Sequence, residues 1–136
     1  MSEIKQLALN ARYGHATIGS VSAFAGKSFV KDAVGATSCE ISYGSLAPGE
    51  AVPFLHSHKA NEEHYLILSG KGCFQVDDDI FDISEGSVVR VATGAQRCLR
   101  NTDADTMVYV CIQAPEGGLT QWTMTDGIIS DTSPAL

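Results

Sequence analysis

The sequence predicts an all-β sandwich or barrel, and three observations carry that expectation. From residue 38 onward, short runs of β-branched, aromatic and apolar residues recur. Gly, Pro, Asn or Asp break them every eight to twelve residues or so. No stretch shows a sustained amphipathic helical period. Thirteen glycines in 136 residues suit the many turns such a fold needs.

Taken in order, residues 1–10 could form no more than a turn or two of helix, and small residues dominate 14–25. Residues 1–37 are expected to add one or two strands that cover an edge or face of the main sheets, packing on the barrel or on a dimer partner. The expected strands are 38–46, 52–58, 63–68, 72–76, 80–83, 87–91, 95–101 and 106–113. Turn chemistry separates them at Pro48-Gly49, Asn61, Gly70, Asp77-Asp78-Asp79, Glu85-Gly86, Thr93-Gly94 and Asp103. Residues 38–114 then form the barrel proper and 115–136 a C-terminal extension, all within one domain. Segments 65–68 and 107–112 are apolar at every position, which marks strands buried on both faces. Their outer side needs a cover, for which the N-terminal segment and a second subunit are the candidates, with a homodimer favoured.

Composition narrows the function. Hydrophobic residues make up 44% of the chain and charged residues 18%, which suits a folded core. Nine basic residues against sixteen acidic ones give a formal charge of -7, so neither nucleic acid nor an anionic membrane is an expected partner. No apolar stretch approaches the ~20 residues of a membrane span, and residues 1–10 lack the core of a signal peptide. Cys39, Cys73, Cys98 and Cys111 show no Cys-x-x-Cys spacing and read as buried thiols of a reducing compartment. Cytoplasmic residence is the expectation.

The chemistry concentrates in one stretch. His56 and His58 are two residues apart, so on a strand both face the same way, with Cα atoms roughly 6.5–7 Å apart. Glu63 follows a turn at Asn61 and can aim a carboxylate at the same point. Two imidazoles and a carboxylate form the ligand set of non-haem iron, and they serve zinc, manganese or nickel as well. By the same alternation Phe54, Tyr65, Ile67 and Leu99 face inward; only Tyr65 offers a ligand a polar group, its hydroxyl. His64 and Cys98, each next to an inward residue, face the other way. His15 and Gln113 stay open as further ligands.

The spacing resembles the two sequence motifs of the cupin superfamily. Gly49, His56, His58, Glu63 and Gly70 match the first motif, with one extra residue between Gly49 and His56. After a short gap, Gly86, Ala92, Gly94, Arg97 and Asn101 stand where the second motif has glycine, proline, glycine, histidine and asparagine. The resemblance spans about residues 41–113. It implies a double-stranded β-helix, the jelly-roll barrel of a small single-domain cupin of RmlC-like type. It also implies that Arg97 takes the place of the family's fourth metal ligand.

A guanidinium has no lone pair to donate and stays protonated in proteins, so Arg97 cannot ligate a metal. Two expectations follow. In one, a divalent ion sits on His56, His58 and Glu63, while Arg97 and Tyr65 bind a small polar or anionic substrate. The chemistry is then that of a dioxygenase, or of an isomerase or lyase using the ion as a Lewis acid. In the other no metal binds, and Arg97 supplies the charge of a non-catalytic pocket for a small molecule or sugar.

Overall fold

Two β-sheets face each other across one apolar core in the computed structural model, which describes residues 3–136. Three early strands are β1 (Lys5–Leu9), β2 (Gly14–Thr17) and β3 (Lys27–Phe29), followed by the short helix α1 (Lys31–Val34). The remainder are β4 (Glu40–Leu46), β5 (Asn61–Ser69), β6 (Lys71–Val76), β7 (Asp79–Ser84), β8 (Val88–Val91), β9 (Arg97–Asn101) and β10 (Met107–Pro115). One sheet has the order β3-β4-β10-β5-β8 and the other β7-β6-β9, while β1 and β2 form a separate hairpin. Every ladder is antiparallel. The all-β expectation is met, and the strands that cross between sheets at tight turns make the jelly roll.

Alternation along the strands builds the core. On β5, Glu63, Tyr65 and Ile67 are buried while their neighbours are half-buried, and on β9 the inward set is Arg97, Leu99 and Asn101. Gly44 on β4 leaves room for the inward ring of Tyr109; a Cβ there would lie 2.5 Å from the ring's Cζ. Gly70, with φ +88°, makes the single-residue turn from β5 into β6. Asn101 closes the far end, donating to Leu46 O (2.9 Å) and Asp105 O (2.8 Å) and accepting from Asp103 N (2.8 Å).

Two expectations need correction. Residues 5–9 are a strand, not helical turns, because they find a partner in β2; residues 1–2 of that segment lie outside the described residues. Residues 52–58 form no regular strand either. They run as an irregular arm over the barrel mouth, tied to β9 by bridges at Ala51–Arg100 and His56–Arg97. Pro53 has no N–H for a ladder, which helps to explain the interruption.

Of the two wholly apolar segments, residues 107–111 are buried on both faces, whereas Leu66 and Leu68 on the outer side of β5 are only half-buried. Val108 and Val110 point away from the core, yet are only 2% and 8% exposed. Part of the cover on this side comes from the N-terminal segment: the Phe24 ring packs 6.0 Å from that of Tyr43, the partner of Val110 on β4. Gly26 exchanges hydrogen bonds with Ser45, the partner of Val108. Among the described residues, no helix is long and apolar enough to cross a membrane.

Candidate metal centre

The irregular arm brings the histidines to the mouth of the barrel. His56 is clamped to Arg97 by two backbone hydrogen bonds, His56 N to Arg97 O at 3.3 Å and Arg97 N to His56 O at 2.9 Å. His58 is off any ladder, and its carbonyl accepts from Gly94 N at 2.9 Å, tying it to the second motif. The two imidazoles meet edge to face with centroids 5.3 Å apart. They therefore converge through a folded arm, not through strand alternation.

Glu63 is the meeting point. Its Oε1 lies 3.3 Å from His58 Nε2 and 3.8 Å from His56 Nε2, and the three ligand atoms fall within 4.8 Å of one another. Ligands on a single ion with bonds of about 2.1 Å stand roughly 3.0–3.5 Å apart, so small rotations bring this trio onto an ion. The carboxylate is already held. Tyr65 OH donates to Oε1 at 3.0 Å, while Cys111 Sγ (3.2 Å) and Gln113 Nε2 (3.4 Å) donate to Oε2. Burial opposes ionisation of Glu63, but the Cys111 and Tyr65 hydrogen bonds, with His58 and Arg97, outweigh it and hold the carboxyl below its usual range.

The other protonation states suit the same use. Burial, and then the charge of Arg97, keep His56 below the ordinary imidazole value, so its nitrogen is free of a second proton at neutral pH. Burial first, and then the Glu63 carboxylate, push Cys111 up to about 12. Burial also drives Tyr65 far above the usual phenol range. Both therefore remain donors to Glu63.

Arg97 is wholly buried, and its Nη1 lies 3.6 Å from Glu63 Oε1 and 3.5 Å from the His56 carbonyl. Among the described residues, the buried side-chain nitrogens without a partner are Arg97 Nε, Arg97 Nη2 and His56 Nδ1. The two on Arg97 form one edge of the guanidinium, the fork that matches the two oxygens of a carboxylate. A divalent ion on Glu63 would stand beside this fixed cation, an arrangement that needs an anion to offset it. The donors present fit a divalent ion provided that an anion accompanies it.

A cavity of about 220 Å³ opens beside these groups. His56, Glu63 and Arg97 lie on its wall with Tyr65 and Leu99, as the alternation predicts. Phe54 is there too, but 60% exposed at the mouth, whereas Ile67 is core and does not reach the cavity. Cys98 reaches the wall despite its parity, because the arm draws its thiol toward Val52 O at 2.9 Å. His64 alternates to the outer side of β5, His15 sits in the β1–β2 hairpin, and Gln113 supports Glu63. Sequence reasoning missed Lys27, Tyr109 and Cys111, all on the wall. Cys111 and Tyr109 read only as members of an apolar run, and nothing near Lys27 marks it.

Comparison with known proteins agrees with this architecture. Residues 42–113, more than half of the chain, match the cupin domain, and the chain belongs to the cupin family. A cupin protein from Bacteroides fragilis, known from its crystal structure, superposes with a TM-score of 0.75 at 36% identity, over 79% of this chain and 92% of its own. A protein from Thermotoga maritima described as a predicted oxalate decarboxylase superposes with a TM-score of 0.53 at 27% identity, over 55% of this chain and 64% of its own. An uncharacterised protein of Methanocaldococcus jannaschii is 24% identical over 71 residues, which cover 52% of this chain and 57% of that protein. The chain thus spans little more than half of that curated relative.

Proposed function

We propose that this cupin binds one divalent ion through His56, His58 and Glu63 and uses it on a small anionic metabolite that Arg97 orients. The convergence of three ligand atoms within 4.8 Å, beside a buried guanidinium with a free fork, carries this reading. An ion bound there supplies Lewis acidity to a carboxylate or carbonyl oxygen. The protein's own residues do the rest. Arg97 holds the anion and offsets negative charge that develops on it. Tyr65, Cys111 and Gln113 keep Glu63 from turning away, and Val52, Leu99 and Tyr109 keep water from the reacting end. The likeness to a protein described as a predicted oxalate decarboxylase supports lyase-type chemistry on a carboxylate over the dioxygenase branch.

The direct contact of Arg97 with Glu63 at 3.6 Å favours a second reading, a metal-free anion pocket in which the guanidinium supplies the charge. Metal analysis of untagged, dialysed protein decides between them. One ion per chain, lost in His58→Ala and Glu63→Gln, supports the metal reading. No ion in the wild type, with binding created by Arg97→His, supports the metal-free pocket. Oxygen uptake with a carboxylate substrate would place the protein with the dioxygenases.

Two coarser assignments accompany this function. Residues 38–114 are taken as the barrel unit, with 1–37 packed on it and 115–136 as an extension. We also take the chain to be a cytoplasmic homodimer. Four free cysteines suit a reducing compartment, and Val88, 66% exposed at the edge of the larger sheet, suits a partner there. Sedimentation at 14.4 kDa would overturn the dimer.

A further inference from the structure

Lys27 lies outside both motifs, yet it lines the cavity. It stands opposite Gly44 in the ladder between β3 and β4, and its Nζ is 5.7 Å from the ring centroids of both Phe29 and Tyr109. The rings hold the ammonium in place without neutralising it. Among the described residues no carboxylate pairs with it.

Lys27 and Arg97 belong to opposite sheets, and apolar side chains, Val52, Leu99 and Tyr109, wall the space they share. Glu63 is the one acidic residue on that wall. The cavity thus has a cation from each sheet with carbon surface between. We infer that its ligand is a small dicarboxylate, one carboxylate taken by the ion and Arg97 and the other by Lys27, which makes Lys27 the residue that selects for a second negative group. This rests on the metal and anion reading above. Counting unit charges, a divalent ion with Arg97, Lys27 and Glu63 leaves about +3, and a dianion offsets more of it than a monoanion can. The size agrees. About 220 Å³ corresponds to about seven waters at roughly 30 Å³ each, which is room for a short chain such as succinate or glutarate.

The test is calorimetric titration of desalted, manganese(II)-loaded protein with succinate and glutarate, and with butyrate and valerate as monoacids of equal length. Each diacid is expected to bind about two- to fivefold more tightly than its monoacid, the scale of one partly exposed charge pair. Lys27→Met removes that gap by weakening the diacid alone, and Lys27→Arg keeps it. Lys27 is exposed, so both variants are expected to melt like the wild type. An equal affinity for diacid and monoacid, or a gap that survives Lys27→Met, overturns the role of Lys27 and leaves the anion site standing. Binding of neither acid overturns both.

Discussion

His56 and Arg97 are locked together: each backbone N–H donates to the other's carbonyl, at 3.3 and 2.9 Å, and Arg97 Nη1 approaches that same His56 carbonyl at 3.5 Å. A candidate metal ligand on the arm is thereby pinned to the buried guanidinium residue of β9. Any change at Arg97 acts on the histidine arm as well as on the charge beside Glu63.

Replacing Arg97 with His is expected to tighten divalent-ion binding about tenfold or more. A unit charge removed from about 6 Å relieves roughly 1.4 kcal/mol of repulsion against a dication even in water, and an imidazole can then ligate. Titration of manganese(II) into apo protein reads this directly. Unchanged affinity would mean that the ion, if bound, sits away from Arg97.

Acid sensitivity has a defined sign at Glu63. The folded carboxyl lies below its unfolded value, so between the two the unfolded chain binds more protons and stability rises with pH. Its contribution in metal-free protein is complete above the unfolded value, about 4.3, and is lost as pH falls through the lower folded one. Urea melts from pH 6 down to 3 should therefore be steeper for the wild type than for Glu63→Gln. Parallel curves would count against a hydrogen-bonded, ionised Glu63.

Asn101→Ala should destabilise the protein by about 2–4 kcal/mol. It removes three hydrogen bonds at a wholly buried site and leaves the carbonyls of Leu46 and Asp105 with one donor fewer. Chemical denaturation measures it, and a loss under 1 kcal/mol would show that water replaces the side chain.

Gly44→Ala should cost about 1–3 kcal/mol, since its Cβ would lie 2.5 Å from Cζ of Tyr109. Tyr109 also lines the cavity and faces Lys27, so the displaced ring should weaken diacid binding in the same variant. Stability and binding both equal to the wild type would show that the ring shifts freely.

Alternation and turn chemistry were enough to specify most of the barrel from sequence. Seven of the eight expected strands from residue 38 onward appear, within a few residues of their expected ends. Period-2 burial is local, so Glu63, Tyr65, Arg97 and Leu99 could be assigned to one interior before any coordinates were known. The motif spacing likewise put His56, His58 and Glu63 in reach of one another. Local pattern could not show that residues 52–58 leave the ladder and act as an arm, because an interrupted run of apolar residues reads the same either way. Nor could it bring Lys27, thirty-six residues before Glu63, onto the same cavity, since that placement comes from β3 adding to the edge of β4. Long-range strand pairing decides which distant residues share a wall. For this protein it decided the partners of Glu63, the free fork of Arg97 and the second cation opposite it.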